Sequence, residues 1–463
     1  MKTSSLVARL LLLALLASPF PACAAGTKRA AEAEAPKPAP ALSLEQRREV
    51  FLAAWKEIGD KHFDPKMNGV DWVAVREKTA PKVDAARSDA ELADVLQEMI
   101  RTLGESHIGI GPPEERKADA KASKSDGEGT IGLHAGFVEG KLVVTRVEEG
   151  SAAERAHLAP GNEIVSVDGK PASQLFQDMP RTIGERWQGV APYVFDEAIR
   201  GPVGEKVRLE VADAGGARRE LDLVRVEPKI PAFRFGLLGT MAVEFESRML
   251  PGDVVYVRFT PCIVDAGEEV ERALGEHKDA RGAILDLRGN PGGVGGVAMA
   301  VARLFVDRPV ELGTMRTREN PELRFFVHAD DAPFRGPLVI LVDGSSASTS
   351  EILAGGMQSV GRARLVGERS IGMALPSIAI ELPHGWRLQT VTADFKLPNG
   401  KAVEGNGVAP DVAVATTLAD LRARRDPALD AAVAELARAP TAADVAHPAE
   451  ERMRATATAA GCA

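Results

Sequence analysis

The sequence is short of cysteine, of aromatic residues and of basic charge, and each shortage closes a route. Three cysteines in 463 residues are too few for a disulfide framework, and no structural disulfide is predicted. Two of them, Cys262 and Cys462, lie outside the N-terminal leader, and Cys462 sits in an Ala/Thr-rich tail. Aromatic residues make up 5% and the formal net charge is −9. A phosphate-binding surface is usually basic, so nucleic acid is not expected as a partner. The eight histidines are scattered, without the paired spacing of metal ligands, and neither a metal nor another cofactor is predicted. No apolar run reaches the ~20 residues of a membrane-spanning helix.

What is present fits an exported, multidomain globular protein. Hydrophobic residues make up 45% and charged residues 27%, within the range of globular chains. The length predicts roughly two to four domains. Lys2 and Arg9 precede an apolar run from Leu10 to Ala17, followed by Ser18-Pro19 and the small residues Ala22, Cys23, Ala24 and Ala25. That is the layout of a secretory leader over 1–25, which predicts a periplasmic or secreted protein. A second reading makes Cys23 a lipidated N-terminus and the protein an outer-membrane lipoprotein. Residues 26–42 are rich in Ala, Pro, Glu and Lys and read as a linker.

Ser43 with Gln46 three residues on is a capping-box pattern. It opens an amphipathic helix, and a second helical pattern runs from Asp89 to Leu103, so 43–115 reads as a helical domain. Residues 116–128 are charged and carry almost nothing apolar, which predicts a flexible connector. The stretch 129–228 is β-rich, with strand signals at Lys141–Val147 and Glu163–Val167 and a tight Asp168-Gly169 turn. Strand and helix signals then alternate over 229–420, the mark of an α/β core. A C-terminal helix and tail fill 421–463.

Two segments of the core carry candidate chemistry. Leu338–Val342 is an apolar strand running into Asp343-Gly344-Ser345-Ser346-Ala347-Ser348 and a helix. A serine there exposes its hydroxyl above the sheet beside the free N–H groups of the helix, which can stabilise an oxyanion. The competing reading is a serine-rich helix cap with no chemistry. The second segment, Ala283–Leu287 followed by Arg288-Gly289-Asn290-Pro291-Gly292-Gly293, is another strand entering a glycine-rich turn. It lacks the Gly-Lys-Ser/Thr ending of a P-loop and the spacing of a dinucleotide fingerprint, and reads as a second oxyanion donor. A hydroxyl nucleophile needs a base, and His107, at a Gly-flanked junction, is a candidate. A histidine there also fits an ordinary satisfied polar residue.

With those segments in view, the chain resembles the S41-type serine peptidases, the C-terminal-processing and tricorn-like enzymes that couple a PDZ domain to an α/β core. The resemblance runs from about residue 45 to about 415. Asp286-Leu-Arg-Gly-Asn-Pro-Gly-Gly293 and Gly344-Ser-Ser-Ala-Ser348-Thr-Ser-Glu351 match the two core signatures. The resemblance selects Ser348 as the nucleophile, because it precedes Glu351 by three. Thr130-Ile131-Gly132-Leu133 and Gly150–Leu158 resemble PDZ segments, which implies that Ile131, Gly132 and Leu133 bind a peptide carboxylate. The implied fold is multidomain α/β: an N-terminal helical domain, a PDZ-like β-rich domain and a crotonase-like ββα protease core.

One departure is informative. The processing branch places a lysine base 25 residues after the serine, and this chain has Met373 there. The tricorn-like branch instead uses a histidine in a Ser-His pair and a glutamate near a Gly-Val-x-Pro-Asp segment. Ser106-His107 and Glu404 with Gly407-Val408-Ala409-Pro410-Asp411 match that branch, so the resemblance is closer to it. The expected enzyme is a serine endopeptidase with His107 as base, held by Ser106 and Glu404. Its oxyanion hole is expected from Thr349 with Gly292 or Gly293, and its substrate is a peptide or exported protein, selected by its C-terminus. A histidine base predicts activity that falls below a pH of about 6.5. Lys396 and Lys401 are rival bases. Two other classes stay open: a pseudoprotease that binds peptides, for which Met373 argues, and an adaptor acting through the PDZ-like module alone.

Overall fold

The structure, a computed structural model, describes residues 42–113, 128–177, 187–229, 232–234 and 240–438. The leader, Cys23, most of the connector and the end of the tail lie outside those residues.

The core is a six-stranded sheet in the order Glu244–Leu250, Val254–Thr260, Gly282–Asp286, Leu338–Val342, Ala363–Gly367 and Val412–Ala413. The first pair is antiparallel and every later pair is parallel. Parallel strands need crossover connections, and the helices that supply them cover the faces. Val264–Glu276, Gly295–Arg303 and Thr349–Ser359 lie on one face, over Val255, Val257, Leu285, Ile340 and Leu365. Pro427–Arg438 covers the other through Ala428, Ala432 and Leu436, against Val254, Ile284, Val339 and Leu341. Burial on both faces explains why these strands read as unbroken apolar runs. A smaller sheet, Leu323–Val327, Val310–Thr317 and Ala393–Lys396, packs beside the third crossover helix.

The helical segment begins as its capping box predicts. Ser43 Oγ accepts from the Gln46 N–H and the Gln46 side chain returns a bond to Ser43. Helices Leu44–Lys61, Trp72–Ala85 and Asp89–Arg101 follow. Their core is shared with a distant part of the chain: Leu382, Trp386 and Leu388 are buried with Val50, Ile58, Leu92 and Leu96. The link is continued by backbone pairing. Strand Gly109–Gly111 pairs antiparallel with Arg387–Val391, which forms a hairpin with Ser377–Glu381. The strand pairing fixes the height of the loop carrying Ser106 and His107.

The β-rich segment forms its own antiparallel sheet, in the order Leu133–Val138, Lys141–Val147, Glu163–Val167, Lys206–Ala212 and Arg218–Val224. Asp168 and Gly169 make the tight turn with φ of 47° and 75°. Helix Ala191–Ile199 packs against the edge strand Leu133–Val138.

Candidate active site

Three loops leave the carboxyl ends of parallel strands 282–286, 338–342 and 363–367 on one side of the sheet, the usual place for a site in an α/β fold. The second carries Ser348. Of its neighbours, Ser346 is fully buried and its hydroxyl donates to Leu287 O at 2.8 Å. Ser350 is also buried, its hydroxyl 3.7 Å from the Cys262 sulfur. Ser348 is half-buried and stands as the N-cap of the helix, with φ 56° and ψ −120°. That conformation is strained for a non-glycine residue and persists only where surroundings impose it. Here Ser348 N–H donates to Met373 O at 2.8 Å and to Glu351 Oε2 at 3.0 Å.

Glu351 is the hub of this half of the site. Wholly buried, it accepts from Ser370 Oγ, Gly372 N–H, Met373 N–H and Ser348 N–H. Burial still outweighs those four donors and pushes its carboxyl up to about 7. The sequence displayed Glu351 as part of a motif, but its role as an organiser of two loops depended on partners 19 to 22 residues away.

The glycine-rich loop lies against Ser348. A Cβ on Gly292 would sit 2.6 Å from Ser348 Cβ and 2.7 Å from Thr349 N, so only glycine fits. Gly292 N–H donates to Asn290 Oδ1 at 2.9 Å. Its neighbour Gly293 N–H and the Thr349 N–H have no acceptor among the described residues. Of the two glycines expected as donors, Gly292 is thus already engaged. Thr349 Oγ1 donates to Gly293 O at 3.0 Å and pins the loop to the helix start.

The other half is built from Ser106, His107 and Glu404. Ser106 N–H donates to Glu404 Oε1 at 3.1 Å and Ser106 Oγ to Glu404 Oε2 at 2.9 Å. The His107 Nδ1 lies 2.8 Å from Ser106 Oγ. A carboxylate only accepts, so the Ser106 hydroxyl proton points to Glu404 and its oxygen receives Nδ1–H. That tautomer leaves Nε2 with a lone pair. Burial draws the His107 imidazole down to about 4 and holds the Glu404 carboxyl above its ordinary range. The pH near 6.5 expected of an unperturbed base is therefore displaced downward by desolvation.

The halves meet at Met373-Ala374. Ala374 N–H donates to Glu404 Oε2 at 2.9 Å, and Gly405 N–H donates to Gly372 O at 2.9 Å. Met373, one residue earlier, offers its carbonyl to Ser348. No hydrogen bond joins the Ser348 hydroxyl to the His107 ring; two backbone steps through Met373-Ala374 connect the two groups. The rival lysines occupy a strand end and its turn, Lys396 in Ala393–Lys396 and Lys401 donating its N–H to Asn399.

Ile131, Gly132 and Leu133 do not join this cluster. Ile131 and Leu133 are buried in the core of the β-rich segment, and Gly132 N–H donates to Thr130 Oγ1 at 3.2 Å. The strand they open does face the core. His134 to Val138, Pro192, Tyr193 and the loops at Gly289, Gly344 and Ser345 line a cavity of about 720 Å³. Tyr193 lines it, its one hydroxyl proton shared between Gly289 O at 3.2 Å and Ser345 O at 3.0 Å. No group of three or more His, Cys, Asp or Glu that could hold a metal occurs among the described residues.

Residues 253–414 match the model of peptidase family S41, and residues 43–101 match the tricorn protease C1 domain. Residues 253–414 thus carry an S41-type peptidase domain. It is a serine peptidase, a hydrolase of peptide bonds. The peptidase is 28% identical over 379 residues to the carboxyl-terminal-processing protease of Synechocystis sp., covering 81% of this chain and 82% of that one. It is 29% identical over 374 residues to the chloroplastic carboxyl-terminal-processing peptidase 3 of Arabidopsis thaliana, covering 79% and 69%. The photosystem II D1 C-terminal processing protease shares the fold, with a TM-score of 0.56 at 24% identity over 81% of this chain and 94% of that one.

Proposed function

We propose that this S41 peptidase is an exported endopeptidase of the carboxyl-terminal-processing type, with Ser348 as nucleophile and His107 as base. The observation that carries the reading is the chain of contacts from His107 through Ser106 to Glu404, fastened by Ala374 to the loop that holds Ser348. In the reaction, Ser348 Oγ attacks the peptide carbonyl carbon and its proton passes to His107 Nε2. The carbonyl oxygen takes the electron pair and is met by the N–H groups of Thr349 and Gly293. His107 then returns the proton to the departing amine, the acyl-enzyme forms, and water repeats the sequence to free the acid. Each oxyanion donor lowers the barrier by roughly 3–4 kcal/mol. Ser106 and Glu404 hold the ring and offset the charge it acquires.

Met373 is compatible with this scheme. Its N–H and carbonyl are both used, by Glu351 and Ser348, so the position serves through its backbone and requires no amine. The pseudoprotease and adaptor readings gain nothing from the family relationship.

The β-rich segment reads as a PDZ-like module that takes a substrate's C-terminus. An extended peptide would add to the free edge of Leu133–Val138, which lines the cavity next to the catalytic loops. Carboxylate capture at Gly132 requires its N–H to exchange Thr130 Oγ1 for the ligand. The N-terminal leader pattern supports export, into the periplasm or medium, with lipidation at Cys23 as the anchored form.

A serine-reactive phosphonate tests the chemistry. It should modify Ser348 in the intact protein and leave Ser348→Ala and His107→Ala unlabelled. Labelling of His107→Ala at the normal rate overturns the base assignment. Amidating the C-terminus of a cleaved peptide should raise KM; an unchanged KM removes the carboxylate-binding role.

A further inference from the structure

The mechanism above leaves unused a buried pair directly before the Ser106-His107 loop. His62 caps the end of helix Leu44–Lys61 and is fully buried. Its Nε2 lies 3.0 Å from each oxygen of Glu105, whose side chain is 6% exposed. Its Nδ1 faces Asp64 O at 2.9 Å and Asp64 N at 3.1 Å. The ring stacks on Phe63 at 4.7 Å. Glu105 also accepts from Asn68 Nδ2, whose backbone, like that of Met67, is left-handed. From a third element, Arg318 donates to His62 O and Gly59 O, and Arg316 lies over the Phe63 ring and near Asp64.

This cluster bears on the site in two ways. Glu105 is bonded to Ser106, so the turn from Gly104 to His107, both with positive φ, is held on one side by His62 and on the other by Glu404. Second, burial makes Glu404 harder to ionise and the Glu105 charge adds to that in the same direction. A buried carboxylate beside another that must stay ionised needs a counter-charge. The His62 ring has an acceptor at each nitrogen, Glu105 at Nε2 and Asp64 O at Nδ1, where the Asp64 N–H also lies, and supplies it as an imidazolium; burial opposes the charge, and Glu105 and Asp64 O raise the ring's affinity for its proton above the usual value.

We propose that His62 and Glu105 are positioning residues of the hydrolytic centre: together they set the Ser106-His107 turn, and the imidazolium of His62 neutralises Glu105 so that Glu404 remains ionised. The inference rests on His107 being the base. The charged and titratable groups near the pair are Asp64, Glu404, Arg316 and Arg318.

The test is the pH dependence of Ser348 labelling by a phosphonate in the full chain, resolved into a maximal rate and a half-saturating concentration. In His62→Gln, the maximal rate should fall by about 10- to 100-fold through misplacement of the base, with little change in half-saturation. Its acid limb should move to higher pH, because unbalanced Glu105 favours protons on Glu404 and His107. Glu105→Gln removes that negative charge and should move the limb the opposite way. The two shifts of opposite sign distinguish charge balance from a merely structural role, which would alter the folded fraction and leave both limbs in place. His62→Gln that folds by circular dichroism and labels with the normal rate and limb overturns the inference. If His62→Gln fails to fold, an unmoved limb in Glu105→Gln overturns it. An unlabelled wild-type protein, or a His107→Ala variant labelling normally, overturns the proposed function and this inference together.

Discussion

The two halves of the centre are built on different principles. The Ser348 half is an assembly of backbone held by a buried carboxylate: strands end, glycines allow close approach, and Glu351 gathers four donors. The His107 half is an assembly of side chains on a short loop, held to the core by Glu404 across 298 residues of sequence. Rigidity on the first side comes from the sheet beneath it. On the second it comes from a few hydrogen bonds and from one strand, Gly109–Gly111, laid on a distant hairpin. On the proposed assignment the nucleophile stands on the side braced by the sheet and the base on the side held by fewer contacts.

The largest expected effect removes either half outright. Ser348→Ala and His107→Ala should each cut peptide turnover by roughly 10⁴- to 10⁶-fold, and the double variant should be no worse, because residues acting as one unit are non-additive. Activity assays on purified variants check this; additive losses would mean that the halves work independently. Next comes the tether. Glu404→Gln keeps an acceptor for Ser106 but removes the charge that offsets an imidazolium, and kcat should fall by about 100-fold with KM little changed.

A stability measurement probes the other half. Glu351 is raised in the folded state to about 7 from a usual carboxyl near 4.5. The folded protein therefore binds the extra proton between those values, and the stabilisation present below about 4.5 is lost as pH rises through 7. His107, lowered to about 4 from 6.5, contributes in the opposite sense: its share is lost as pH falls from 6.5 toward 4. Denaturant unfolding of Glu351→Gln against pH should lack the first trend and retain the second. The smallest effect is expected of Met373→Ala, which keeps the backbone contacts of residue 373; turnover within about threefold of the parent fits a side chain without a chemical role. A loss comparable to that of His107→Ala would mean that the Met373 side chain shapes the site beyond what its backbone contacts provide.

How much of this was legible in the sequence follows the same division. The serine loop is encoded within a contiguous strand, turn and helix, so pattern located it and the glycine loop, while the choice of Ser348 among its serines came from the family resemblance. Which glycine is free was not legible, because it depends on Asn290 turning its side chain back to Gly292. His107 was a candidate base from its Gly-flanked junction, but Ser106, Glu404 and the grouping of the three came from the family resemblance; nothing local marks residues so far apart as partners. Helix Ala191–Ile199 was missed: its N-cap is Val190, with no side-chain cap to announce it. The hairpin Ser377–Glu381 and Arg387–Val391 was also missed, since Ile378 and Ala379 are exposed and break the alternation a half-buried strand displays.

Strand Gly109–Gly111 has a temporal consequence. Its partner Arg387–Val391 and the anchor Glu404 are made almost 280 to 300 residues later, so a nascent chain that ends before them has no organised proton acceptor. Long-range pairings also form late in folding. On the proposed assignment, competence requires the chain to be made at least through Glu404, and a chain cut before Arg387 leaves Ser106 without its carboxylate partner and Gly109–Gly111 without its pairing strand.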